Sequence, residues 1–346
     1  MISWDLATKV AKGVIASFPK EDDARLSNLS NEMSEFGSSV LPEVERVSGI
    51  EIADDRIEVR FASRNEWVEN NAKSMQKLLD PIIKEATDSI PEFLSNIYSS
   101  VGAVQFGLLF GWMSRRVLGQ YDAAMFTNAD VAGAPVFVVG SNVLEIESRN
   151  DYVPGSFGRW VLLHEITHKL QFEGIDWMAS YYRSLISDLV SSSKLTPSDI
   201  FEAIVTIIEE LRAGRNPIDE AGIAALFLGK SQRQNLKKIT SLMTILEGHA
   251  DFVMSRVAKD SIESADEFEA MVSDRRQGGS PLFKLISRLY GFDAKVRQYA
   301  NGRKFLEELA SRKSDDFIRT IFSSPETLPS VEEIADVETY LSRVSA

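Results

Sequence analysis

Apolar residues recur at three- and four-residue spacing through most of this chain, and that period constrains the fold more than any other feature. Windows 68–85, 87–118, 157–173, 176–193, 198–213, 233–259, 264–274, 281–290 and 302–312 all carry it, and "MISWDLATKVAKGVI" at the start reads as a first amphipathic helix. Strand signals are few. "RIEVRF" (56–61) alternates and is β-branched, while "PVFVV" (135–139) and the weaker "NVLEI" (142–146) are short apolar runs near Gly and Pro. The expected fold class is mainly α with a small antiparallel β-sheet, an α+β arrangement.

Loop-like composition marks 20–33, 148–156, 193–198, 214–220, 228–234, 275–281 and 323–332. None of these stretches is long enough for an evident interdomain linker, and no internal repeat is visible. The expected organisation is one unit over 1–346, with an N-terminal helical portion at 1–120 and a catalytic portion at 121–346.

At 346 residues and 44% apolar composition the chain can bury a large core without disulfides or other staples. Cysteine is absent, which removes thiolate chemistry and fits a reducing compartment. A formal charge of −13 argues against nucleic acid and anionic membranes, which need a positive face. The first residues lack the basic start and long apolar run of a secretory signal, so a cytoplasmic protein is expected. "VGAVQFGLLFGWM" (101–113) contains Gln105 and is about seven residues short of a bilayer span, so no transmembrane segment is expected. Its Gly107 and Gly111 instead suit close packing between helices.

The chain has three histidines, and two of them stand in "LLHEITHKLQF" (162–172). His164 and His168 lie one turn apart on the same face of a helix, so both imidazoles can reach one ion at about 2.0–2.1 Å. Glu165 flanks that face without needing to ligate and can accept a proton from an activated water. Ser156 is placed to cap the helix and Gly174 to end it in the left-handed conformation. The other reading is a helix that carries two ordinary histidines.

A third ligand decides between them. The longer metzincin motif would need glycine three residues and histidine six residues after His168, where this chain has Gln171 and Gly174. A carboxylate from a second helix is then the remaining option, and the last histidine marks where to look, "ILEGHADFVM" (245–254). Glu247 and Asp251 share a face, so Glu247 can bind the ion while Asp251 accepts the distal N–H of a ligand histidine. His249 points about 200° away from Glu247 on an ideal helix, which favours Glu247 as the ligand. His249 then either lines the cleft and stabilises an oxyanion or is a packed histidine. Gly248 and Ala250 are small enough to let this helix pass close to the first.

These stretches carry a resemblance. "WVLLHEITHKLQFEGIDWM", "LEGHADFVM", "VLGQYD" (117–122), "LYGFDAKVRQYANGRKFLEEL", "SSPETLPSVEEI", "SWDLATKVAKGV" and "RNEWVENNAKSMQKLLDPI" together span nearly the whole chain. They resemble the zincin-like metallopeptidase family 2, also called DUF2342, a family of hydrolases with a branch named for association with coenzyme F420 biosynthesis. The resemblance implies a zincin-like fold and one Zn²⁺ on His164 and His168. It also implies Glu165 as base and a gluzincin-type glutamate ligand matching Glu247.

The chemistry expected is metal-assisted hydrolysis of a peptide or other amide bond, with Glu165 moving a proton from water to the leaving nitrogen. His249 is the first candidate for an oxyanion donor, and Tyr299, Arg297 and Arg256 are weaker ones. "PVFVV" is placed to act as an edge strand that binds extended substrate, or as a plain core strand. Two rivals stand beside this reading. One is a non-catalytic zinc-binding interaction protein, and the other is a zinc hydrolase of a small-molecule amide linked to F420 metabolism.

Overall fold

The computed structural model describes residues 2–18, 23–87, 92–121, 133–191, 230–268, 271 and 302–344. Its helices are α1 (Trp4–Ile15), α2 (Asp23–Ser48), α3 (Arg64–Thr87), α4 (Glu92–Met113), α5 (Gly140–Arg149), α6 (Ser156–Glu173) and α7 (Met178–Ser191). They continue with α8 (Lys230–Ser261), α9 (Gly302–Arg312), α10 (Val331–Ala335) and α11 (Val337–Val344). Short 3₁₀ segments at Asp315–Phe322 and Pro325–Thr327 lie between α9 and α10. The helical windows 198–213 and 281–290 and the loop stretches 193–198, 214–220 and 275–281 fall outside the described residues. So does part of 264–274. Among the described residues no helix is long and apolar enough to cross a membrane.

The strands β1 (Val59–Ala62), β2 (Gly119–Tyr121) and β3 (Val136–Val139) form one sheet in the order β1-β3-β2. The protein is mainly helical with a small sheet, as the periodicity predicts. The sheet itself is mixed: β1 runs parallel to β3, with Val59 opposite Val136, and β2 runs antiparallel to it, with Tyr121 opposite Val136. All four β3 residues are buried, so "PVFVV" is the central strand and not an edge. "NVLEI" is helical: Val143 and Ile146 reach the core at helical spacing from α5.

The loop-like stretch 20–33 is overturned in the same way, since α2 begins at Asp23. Ser30, Ser34 and Ser38 stand at four-residue intervals along one face of α2. Their hydroxyl oxygens accept the N–H groups of Phe61 (2.9 Å), Val59 (2.9 Å) and Ile57 (3.0 Å). A serine-rich sequence resembles a loop because serine competes for backbone hydrogen bonds. Here the serines cover the exposed edge of β1, which would otherwise offer unpaired donors.

At the N-terminus α1 buries Trp4, Ala7, Ala11 and Ile15 against α4. Gly107 and Gly111 make that crossing possible. A Cβ at 107 would stand 2.5 Å from the Ala7 carbonyl oxygen, and one at 111 would stand 2.7 Å from the Val14 Cβ.

Helix α6 is central: every residue in it except Arg159, His168 and Glu173 is buried. It is buried nearly all round although half of its residues are polar, because α2, α8, β2 and β3 enclose it and supply those side chains with partners. Its start is not capped by Ser156. Gly155 takes the left-handed conformation (φ 82°), and the buried Glu147 carboxylate of α5 accepts from the Gly155 and Gly158 N–H groups at 3.0 and 3.1 Å. A carboxylate there also complements the positive end of the helix. Gly174 ends α6 in the right-handed region (φ −86°), and its smallness serves a close approach, since a Cβ would lie 2.5 Å from the Glu51 carbonyl oxygen. Gly248 of α8 faces Gly302 of α9, not α6; its Cβ would fall 2.4 Å from the Gly302 carbonyl carbon. Residues 230–234, expected as loop, are the first turn of α8.

Candidate metal centre

Two helices that share a long buried contact, α6 and α8, bring three ligand-type side chains to one point. His164 Nε2 lies 3.1 Å from His168 Nε2 and 3.4 Å from Glu247 Oε2, and His168 Nε2 lies 3.8 Å from Glu247 Oε1. The edges of a tetrahedron with metal–ligand bonds of about 2.0–2.1 Å are roughly 3.3–3.4 Å; with one ligand atom from each residue the three lie within 4.8 Å of one another, a group that could close on a single ion. The donor set, two imidazoles and one carboxylate, is also one that zinc accepts.

Each imidazole also has a polar neighbour on its far side. Asp251 Oδ1 lies 3.3 Å from His164 Nδ1, one helical turn beyond Glu247, which is the ligand-and-support spacing expected for that pair. His168 Nδ1 is 2.9 Å from Gln171 Oε1, and the Gln171 amide nitrogen is 3.0 Å from both the Leu246 carbonyl oxygen and His249 Nδ1.

Glu165 stands beside this cradle, buried in α6. Its Oε2 accepts the backbone N–H of Tyr121 at 2.8 Å. Burial pushes its carboxyl above the usual carboxylate range, and Glu247 adds to that, while His168, His164 and the Tyr121 N–H pull the other way. Strand β2 presses directly on it: a Cβ at Gly119 would fall 2.6 Å from Glu165 Cγ and from Oε1. Tyr121 is anchored further along α6, where its hydroxyl donates to Glu173 Oε1 at 2.7 Å. Lys169 donates to the same oxygen at 2.6 Å and to the Ala134 carbonyl oxygen at 2.8 Å. The side chains of Lys169 and Glu173 are almost fully buried, so this ion pair is a fixed part of the α6–β2 junction.

Of the other expected residues, the two that are described, His249 and Arg256, lie outside the cradle. His249 is fully buried, packed 4.8 Å from the Phe322 ring, and takes the place foreseen for a packed histidine. Burial pulls its imidazole down to about 3, with the Ser48 backbone opposing and His168 adding to the shift, so the ring is neutral. Arg256 lies about 180° round α8 from Glu247, pairs with Asp315 at 3.4 Å and stacks 3.5 Å from the centroid of the Phe252 ring. Tyr299 and Arg297 lie outside the described residues. Sequence reasoning missed Tyr121 and Gly119, and it read Gln171 only as a departure from the metzincin motif. A three-residue spacing from His168 is the available signal for Gln171; for Gly119 and Tyr121 the signal is their place in the resemblance-carrying stretch "VLGQYD", although their contacts with Glu165, made across the fold, are not readable from it.

The model of the zincin-like metallopeptidase family matches residues 2–341. A protein from Chloroflexus aurantiacus, whose crystal structure is described as that of "a putative hydrolase with a novel fold", superposes with a TM-score of 0.74 at 22% identity. The match covers 100% of this chain and 99% of that one, so the two share a fold. Comparison with curated protein sequences gives no match.

Proposed function

The chain belongs to the zincin-like metallopeptidase family, and from that premise we propose that it is a zinc-dependent hydrolase of a peptide or other amide bond. The observation that carries the reading is the convergence of His164, His168 and Glu247, all with ligand atoms within 4.8 Å of one another, beside a buried glutamate. A zinc ion held there would supply a Lewis acid and lower the pKa of a bound water toward neutrality. The chain's own residues do the rest. Asp251, 3.3 Å from the distal nitrogen of His164, would orient that ring, and Glu165 would take a proton from the water and return it to the leaving nitrogen. The Tyr121 N–H keeps the Glu165 carboxylate turned toward β2. A carboxyl whose affinity for protons is raised by burial suits a group that must both accept and donate near neutral pH.

A purely structural zinc site closes with four protein ligands. Among the described residues three converge here, with a base alongside, and this favours catalysis over a non-catalytic interaction protein. The reading treats the chain as one unit, supported by a main core that runs from Leu26 to Leu341, and places it in the cytoplasm, supported by a composition without cysteine.

The test is metal analysis of the purified protein together with a peptide-library screen of wild type against Glu165→Gln. About one zinc per chain in both, with cleavage by wild type only, is the expected result. Zinc in both with identical inactivity removes the support for a peptidase, and an absence of metal in wild type removes the metal centre itself.

A further inference from the structure

We propose that Gln171 and His249 form a buried relay that sets the tautomer of His168, so that its Nε2 presents a lone pair to the metal cradle. Resting on the metal-centre reading, this makes Gln171 and His249 positioning residues that tie α6 to α8. The argument starts at a backbone carbonyl. The Leu246 oxygen can only accept, and it lies 3.0 Å from the Gln171 amide nitrogen. Turning the amide over would set two oxygens against each other at a site where Gln171 is fully buried. The nitrogen therefore faces Leu246, and the amide oxygen is left pointing at His168 Nδ1, 2.9 Å away. An amide oxygen only accepts, so His168 Nδ1 carries the hydrogen and Nε2 the lone pair.

The second N–H of the same amide completes the relay. It points at His249 Nδ1, also at 3.0 Å, so that nitrogen accepts and the hydrogen of His249 sits on Nε2. With both N–H groups satisfied from α8, the amide is locked by two acceptors on the helix that also supplies Glu247. This gives His249 a use that neither ligation nor substrate contact provides. Its ring, wedged against Phe322, holds an acceptor in place behind the metal ligand.

The relay is tested first on the full-length metal-free wild type labelled with ¹⁵N-histidine. Long-range ¹H–¹⁵N correlation reports which imidazole nitrogen carries the proton, and a His249→Asn sample assigns the signals. The expected result is His168 with its hydrogen on Nδ1; a hydrogen on Nε2 instead overturns the proposal without any variant having to fold. Zinc affinity is then measured by competition with a chelating dye, with circular dichroism following the fold. Gln171→Leu is expected to bind zinc about 10–100-fold more weakly, the usual cost of losing a partner behind a metal ligand. His249→Asn, whose side-chain oxygen still accepts from Gln171, is expected to keep both the affinity and the His168 tautomer. Undiminished affinity in a folded Gln171→Leu overturns the relay, as does a lost tautomer in His249→Asn. Wild type with the expected tautomer but no zinc uptake supports the relay and sinks the metal centre, so the two failures are distinct.

Discussion

Tyr121 holds Glu165 by its backbone and Glu173 by its hydroxyl, with N–H···Oε2 at 2.8 Å and O–H···Oε1 at 2.7 Å. One residue on an edge strand thereby spans two turns of the central helix, about 12 Å along its axis. The ring between the two contacts stacks on Phe172. Tyr121→Phe keeps the N–H and the stacking but loses the hydroxyl, while Glu173 keeps Lys169. A loss of about 1 kcal/mol in stability is expected by urea denaturation, the worth of one hydrogen bond. On the proposed role of Glu165 as base, loosening β2 is expected to lower kcat up to about tenfold with little change in KM, since Glu165 and not a substrate contact is disturbed.

Gly119→Ala acts on the same junction more severely. The added methyl would stand 2.6 Å from Glu165 Cγ and Oε1 and 2.8 Å from Cδ, so the carboxylate has to move. The candidate ligands His164, His168 and Glu247 lie on α6 and α8 and are not displaced directly. Zinc content near that of wild type is therefore expected, with activity down by about 10²–10⁴-fold, the range for loss of a general base. Full activity in this variant would show that the position of Glu165 against β2 is irrelevant to turnover.

How much of this was visible in the sequence differs between the parts. Within each helix the candidate residues are legible, because His164 with His168 and Glu247 with Asp251 are spaced by four and so share a face; that α6 and α8 meet there, with His164 3.4 Å from Glu247, is a long-range outcome. That α6 would be enclosed on every side was not legible, because its apolar residues were read as one stripe. The start of α2 reads as loop because Ser27, Asn28, Ser30 and Asn31 carry a signal of local competition, whereas the Ser30 hydroxyl, with those of Ser34 and Ser38 further along, serves a strand some 20 to 30 residues away. The parallel pairing of β1 with β3 and the pressure of Gly119 on Glu165 are likewise long-range. The helix-packing role of Gly107 and Gly111 was foreseen, whereas Gly248 proved to serve α9 in place of α6.

Glu165→Gln separates catalysis from stability. Burial raises the Glu165 pKa in the folded protein above its ordinary 4.5, so protonation accompanies folding more readily than unfolding. The stability this contributes is present below about pH 4.5 and is lost as the pH rises through the folded value, leaving a buried charge that opposes folding at neutral pH. Glutamine has no charge to bury. Chelator-treated Glu165→Gln is expected to melt higher than wild type at pH 7 to 8, with the gap closing toward pH 4.5, in a scanning fluorimetry series. A wild type more stable than the variant across the whole range would mean that the carboxylate is already well compensated.

His249 gives the opposite sign. Its folded pKa is pulled down to about 3 from an ordinary 6.5, so between those limits the unfolded chain binds a proton that the folded chain does not. The neutral ring contributes stability that is fully present above pH 6.5 and is lost as the pH falls toward 3. One proton's difference corresponds to a slope of about 1.4 kcal/mol per pH unit. His249→Asn removes this proton, and although it also loses packing against Phe322 and so lowers stability at every pH, that loss does not depend on pH. The decisive quantity is therefore the slope and not the level: metal-free wild type should lose stability more steeply than His249→Asn as the pH is lowered from 6.5 to 4.5 in urea titrations. Parallel curves over that range would mean that His249 titrates in the native state and that its ring is not sealed beneath Phe322.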